Sequence, residues 1–147
     1  MPFINLLDQQ GLVPEKSGLN WGANTNELAG TVNTRVADAE LRITAELIRT
    51  GIFPEKNGVS KIPVSLEWDD GTKMQGSFEQ NNHIDNIVYP KALCSDNDKS
   101  ILGSYLRHRL GVNLTKKITL ADLQKYGRTN IEITRQLDGS YYLDFSV

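Results

Sequence analysis

Few residues in this chain carry reactive chemistry. There are two histidines, His83 and His108, and one cysteine, Cys94. A phosphodiesterase with a histidine nucleophile requires His-x-Lys, where histidine attacks phosphorus and lysine steadies the phosphate charge. Neither His83-Ile84-Asp85 nor His108-Arg109-Leu110 supplies that lysine. A metal-dependent nuclease sets an acid ahead of Asp/Glu-x-Lys, so that carboxylates hold magnesium while lysine polarises water. The nearest spacing is Asn97-Asp98-Lys99, which lacks the intervening residue. His83 and Asp85 alternate on one segment and could both touch a metal, but two histidines and one cysteine hardly complete a shell. Cys94 has no histidine near it in sequence, the pattern of buried filler rather than of a nucleophile. No phosphate-cradling glycine loop occurs. No active site assembles, and no cofactor or metal is expected.

Two other stretches are dense in short polar side chains. One runs Asn20-Trp21-Gly22-Ala23-Asn24-Thr25-Asn26-Glu27 and continues to Asn33-Thr34-Arg35. The other holds Gln75, Ser77, Glu79, Gln80, Asn81, Asn82, His83, Asp85 and Asn86. Asn and Gln pair bidentately with adenine edges, Arg with guanine, and Glu or Asp with cytosine. Ser, Thr and backbone amides commonly hold phosphates and set register. The competing reading is that Asn/Gly/Thr stretches simply make turns. Trp21 fits a core anchor equally well.

The charge pattern is local. The net charge is −2, yet positions 91–128 hold eight basic residues against three acidic ones, a net of +5 that leaves −7 elsewhere. With a screening length of about 8 Å, such a surface can engage phosphates on an acidic protein. A solvated helical face is the alternative.

These residues need a scaffold, and 147 residues suffice for one domain with its own core. No apolar run approaches the ~20 residues of a helical membrane span, so no membrane partner is expected. The opening Met1-Pro2-Phe3-Ile4-Asn5 lacks the blocks of a signal peptide, and the single cysteine suggests a reducing compartment. Leu41-Arg42-Ile43 reads as a short strand, Ala45 to Arg49 as a helical turn, and Phe53-Pro54 as a stop. Ile62, Val64, Leu66 and Trp68 alternate with polar residues at period two. Asp69-Asp70-Gly71 turns the chain, and Lys73 to Gln80 returns as the partner strand. Ile131–Thr134 and Tyr141–Phe145 make a second hairpin around Asp138-Gly139. Between the hairpins, Ser95 or Asp96 caps a helix with an apolar stripe of Ile101, Leu102, Tyr105, Leu106 and Leu110, ended by Gly111. Thr119 caps a shorter helix ending at Gly127. The pattern is mainly β with helices, an α+β mixed sheet or open barrel.

Several of these segments resemble one family, the carboxy-terminal B3-like domain of NgoFVII- and BfiI-type restriction endonucleases. The shared stretches are Ser17-Gly18-Leu19-Asn20-Trp21-Gly22, Asp38-Ala39-Glu40-Leu41-Arg42-Ile43, Phe53-Pro54 and Trp68-Asp69-Asp70-Gly71. The most specific are Lys91-Ala92-Leu93, Asn97, and Leu102-Gly103-Ser104-Tyr105-Leu106-Arg107-His108-Arg109-Leu110-Gly111. Leu123, Tyr126-Gly127-Arg128-Thr129 and Tyr142-Leu143-Asp144-Phe145-Ser146 complete it, so the resemblance covers the chain from about Ser17 onward.

The resemblance implies a seven-stranded open pseudobarrel over residues 1–147, with 1–16 as an extension ahead of it. Two arms would grip the major groove of double-stranded DNA, one from Asn20 to Arg35 and one from Gln75 to Lys91. The implied contacts are Asn20, Trp21, Asn24, Thr25, Asn26 and Arg35 on the first side. Lys73, Gln75, Ser77, Gln80 and Asn82 lie on the second, with Lys91, Asn97 and Lys99 beside them. The family's nuclease half, a metal-independent phospholipase D-like domain, has no counterpart in these residues and would be a linked or separate partner. A bacterial cytoplasmic location follows from the same resemblance. Family members carry arginines just after Trp-Gly, where this chain has Ala23, Asn24 and Asn26; the recognition sequence, more than the function, is what that leaves open. Arg107, Arg109 and Arg128 fit either scaffold pairing or phosphate contact. The rival readings are a non-nuclease regulator or protein-interaction module of the same fold, and a small hydrolase using His83 with Asp85, or Cys94.

Overall fold

The structure, a computed structural model, describes residues 2–22 and 37–147. In chain order come β1 (Phe3–Asn5), a 3-10 turn (Gly18–Asn20), β2 (Leu41–Arg42), α1 (Ala45–Ile48), β3 (Lys61–Trp68) and β4 (Lys73–Glu79). Next are β5 (Asn82–Ile84), β6 (Ile87–Tyr89), β7 (Ala92–Ser95), α2 (Lys99–Leu110), α3 (Leu120–Tyr126), β8 (Asn130–Arg135) and β9 (Tyr141–Asp144). The main sheet has seven strands in the order β1-β8-β9-β3-β4-β7-β2. Only β3 and β9 run parallel; the other neighbours are antiparallel. The first and last strands approach one another, so the sheet curls into a nearly closed pseudobarrel. That is the fold the resemblance implies.

Period-two patterning sets which face is buried. On β3, Val64, Leu66 and Trp68 point inward while Pro63 and Ser65 stay exposed. Pro63 is tolerated because β9 pairs only with Leu66–Trp68, leaving the edge beside Pro63 without that neighbour. Phe78, Leu93, Leu41, Ile131, Ile133, Leu143 and Ile4 supply the rest of the barrel interior. At ~25 cal/mol per Å² of apolar surface, each such side chain contributes roughly 1.5–3 kcal/mol. Residues 3–5, read from sequence as part of an extension, form β1 against β8, with Ile4 fully buried. Three residues are too few for periodicity to reveal a strand.

Helix α2 closes one side. Its cap is Asp98, which accepts from the Ser100 amide at 2.9 Å, not Ser95 or Asp96. Ser95 belongs to β7 and instead accepts from the Leu102 amide at 2.9 Å, tying sheet to helix. Ile101, placed in the apolar stripe by spacing, is 48% exposed. Gly103 is required by close approach: a Cβ there would lie 1.4 Å from the Ala37 carbonyl oxygen. Gly111 ends the helix in the left-handed region, φ 72°, as expected. Thr119 and Asp122 form a reciprocal capping box at α3.

Candidate nucleic-acid interface

Beyond Glu79 the chain leaves the main sheet and forms β5 and β6 as a separate two-stranded ribbon. Its turn, Asp85-Asn86, has positive φ at both residues (52° and 65°), the geometry of a tight two-residue hairpin. Asp85, Asn86 and His83 are exposed along it. Of the span from Gln75 to Lys91 expected as the second arm, positions 75–79 lie inside β4, and the separate ribbon begins at about Gln80.

The ribbon is rooted by Lys56, a residue with no site role in the sequence reading. Its ammonium, on a residue only 3% exposed, donates to Ser60 O at 2.7 Å, Gln80 O at 3.0 Å and Asn81 Oδ1 at 2.8 Å. Asn82 Nδ2 donates to Ile43 O at 2.8 Å, so this amide holds the root. Gln80 Nε2 donates to Glu40 Oε2 at 2.7 Å.

Facing this root is Trp21, half-buried, at the point where the chain passes to residues 23–36. Asn24, Thr25, Asn26 and Arg35 lie outside the described residues. Lys99 Nζ sits 4.0 Å above the Trp21 ring and 3.3 Å from Glu40 Oε2. Trp21 lines two neighbouring cavities. One, of about 380 Å³, also touches Glu40, Arg42, Gln80 and Lys91; the other, of about 370 Å³, touches Lys61, Glu79, Asn97 and Lys99. Lys91 and Arg42 are exposed at this rim. Asn97, at φ 62°, accepts from Lys61 Nζ at 2.8 Å, while Lys61 also pairs with Asp96 at 2.8 Å. Burial raises the Glu40 carboxyl above its ordinary range, partly opposed by Lys99 and reinforced by Glu79. Burial likewise pushes the Cys94 thiol up to about 12, and the thiol donates to Glu79 Oε2 at 3.3 Å. Fully buried and held protonated, Cys94 is placed as filler.

Of the residues singled out by sequence, Trp21, Gln80, Lys91, Asn97 and Lys99 come together here. Lys73 and Gln75 line a separate groove near the β3–β4 and β8–β9 turns, where Gln75 Oε1 accepts from Ser65 at 3.0 Å. At ~3.4 Å per residue, Gln75 stands roughly 17 Å from the ribbon root along the strand. Two expectations are corrected. Asn20 is 1% exposed, and its amide is spent on Pro14 O at 2.9 Å, Ile118 O and N, both at 2.8 Å, and Arg107 at 3.4 Å. It positions Trp21 and has no free edge for a base. Ser77 is wholly buried in β4 beside Cys94, out of reach of a ligand.

Residues 3–137 match the family model of the NgoFVII C-terminal B3-like DNA-binding domain. The chain belongs to that family. No curated protein matches it. Membership makes DNA the partner of this domain, and beside the ribbon Arg42, Lys91 and Lys99 stand around Trp21 with the polar Gln80 and Asn97. Beyond Lys99, several basic residues of the stretch from Lys91 to Arg128 are instead paired within the scaffold. Arg107 is fully buried among main-chain carbonyls, including Gly103 and Leu19 at 3.2 Å. Arg109 grips Asp69 bidentately at 2.7 and 2.8 Å. Arg128 pairs with Asp144 at 3.3 Å and Lys116 with Asp122 at 2.6 Å. Most of that local charge is neutralised within the fold. Among the described residues no helix is long and apolar enough to cross a membrane, and no three His, Cys, Asp or Glu side chains converge.

Proposed function

We propose that this chain is the sequence-reading domain of a restriction endonuclease, binding duplex DNA through its major groove while a separate or linked domain cuts. The observation that carries this reading is the β5–β6 ribbon, a two-stranded element apart from the main sheet, rooted by Lys56 beside the rim that bears Arg42, Lys91 and Lys99, in a DNA-binding family. A two-stranded ribbon fits the ~12 Å major groove, where each base pair shows a distinct donor and acceptor pattern. Residues 80–91 form one arm and the segment after Trp21 the other. Gln80, His83, Asp85 and Asn86 address base edges; Lys91, Arg42 and Lys99 address phosphates, with Lys73 and Gln75 meeting the duplex farther along β4. Asn24, Thr25, Asn26 and Arg35 serve the first arm.

A binding titration over salt tests the reading. The purified chain should bind duplex DNA without cutting it, with or without magnesium. The log–log salt slope should be near −0.9 per phosphate contact, hence about −3 to −6 for a single small domain. A flat salt response, or cutting by a homogeneous preparation, contradicts the proposal.

A further inference from the structure

Glu40 stands where the ribbon's root meets the Trp21–Lys99 rim. Its backbone N–H donates to Gly18 O at 2.9 Å, fixing the turn that leads into Trp21. Its carboxylate takes Gln80 Nε2 at 2.7 Å from the ribbon side and Lys99 Nζ at 3.3 Å from the start of α2. Lys99 in turn covers the Trp21 ring at 4.0 Å. A continuous chain of polar contacts thus runs from Gln80 through Glu40 and Lys99 to Trp21, crossing the floor of the cleft.

We propose that Glu40 is a positioning residue which, through this relay, couples the ribbon's root at Gln80 to the Trp21–Lys99 rim, so that base reading by the ribbon depends on how that rim is held. The inference rests on the proposed DNA-reading role of the cleft and extends it to a residue outside both arms.

Glu40 is costly to the fold. It is 7% exposed, and burial raises its pKa, meaning the folded chain disfavours the ionised form. The charged groups facing it are Lys99, Glu79 and Lys91, with the Cys94 thiol nearby. A group whose folded pKa is raised withdraws stability as pH rises through that value, so an ionised Glu40 does not serve stability. A buried charge kept against the stability of the fold, and shared between the ribbon's root and the rim, fits a positioning role.

The test is a double-mutant cycle read as selectivity, the affinity ratio between a selection-derived duplex and a scrambled one. Trp21→Leu alters the rim and Gln80→Met the ribbon's root. Each should lower selectivity about tenfold, the loss of one charge-linked contact. Coupling of rim and root predicts that the double variant loses little more than the worse single, because either break disconnects the relay. Independence predicts multiplication to about a hundredfold, which overturns the proposal. Glu40→Gln keeps an acceptor for Gln80 but loses the charge that holds Lys99; selectivity should fall several-fold without loss of melting temperature. Wild-type selectivity should also fall on acidification from above the ordinary glutamate range, and Glu40→Gln should flatten that limb. A Glu40→Gln profile identical to wild type also overturns the relay. If Glu40→Gln unfolds, the Trp21/Gln80 cycle decides with Glu40 in place. A wild-type chain with no preferred duplex sinks the DNA-reading role and the relay together; a selective chain with multiplicative singles sinks the relay alone.

Discussion

Replacing Lys56 by methionine should loosen one arm without dismantling the barrel. Three acceptors lose their donor: Ser60 O at 2.7 Å, Gln80 O at 3.0 Å and Asn81 Oδ1 at 2.8 Å. Hydrogen bonds from a charged donor contribute ~1.5–3 kcal/mol each before offsets. Two offsets apply. Ser60, Gln80 and Asn81 are exposed, so water replaces much of what is lost, and methionine carries no charge to desolvate. The net cost should be about 1–3 kcal/mol, a fall in Tm of roughly 3–9 °C at ~3 °C per kcal/mol for a domain of this size. The effect should be local, because the backbone bond from Lys56 N to Val88 O at 2.8 Å and the main sheet remain. Circular dichroism on heating gives the total. Amide exchange gives the location, with faster exchange confined to residues 80–90. DNA selectivity should fall along with it. Unchanged melting together with wild-type exchange in the ribbon would refute the claim that Lys56 holds the arm.

Three further outcomes follow from the scaffold. Asp69→Asn should cost about 2–4 kcal/mol, the loss of a partly buried ion pair discounted for some solvent access, measured by urea unfolding with m unchanged. Burial works against the Asp69 carboxylate, but Arg109 and the Phe145 amide outweigh it and hold it below the ordinary range. Its stabilisation is therefore complete above the unfolded value of 3.8 and is lost as pH falls through the lower folded value, so the wild-type advantage should shrink steadily as pH is lowered below 3.8. Gly103→Ala should be among the most damaging single changes, about 4 kcal/mol or more, because a Cβ 1.4 Å from the Ala37 carbonyl forces α2 off the sheet; a soluble, normally melting variant would contradict that packing. Arg109→Lys should lower Tm while leaving DNA selectivity intact, since the bidentate grip on Asp69 lies in the scaffold and lysine cannot reproduce it.

The sequence was most legible where periodicity is long. Eight residues of alternation revealed β3, and the Asp-Gly turns located both long hairpins. The β5–β6 ribbon escaped because three-residue strands show no period; its one local cue was Asp85-Asn86, a pair able to adopt positive φ, between Ile84 and Ile87. Asn20 was misread for a different reason. Its local surroundings look like a polar loop, while the groups that bury it, Arg107 and Ile118, lie 87 and 98 positions away. Lys56 and Glu40 were silent on the same ground: their shared partner at the ribbon root, Gln80, sits 24 and 40 positions away, and no local pattern encodes such a pairing. The +5 stretch divides in the fold: Arg109 meets Asp69 and Arg128 meets Asp144, while Lys91 and Lys99 stand at the Trp21 rim, a partition that neighbours in sequence do not reveal.

The central claim is that the ribbon and the Trp21 rim read base sequence. Selection from a pool of randomised duplexes, run on the wild-type chain and on a variant with Gln80, Asp85 and Asn86 all replaced by alanine, tests it most directly. The wild type should enrich one short motif, and the variant should lose preference at about one to three adjacent positions while still binding duplex DNA in low salt. An unenriched wild-type pool, or an unchanged motif from the ribbon variant, contradicts the account.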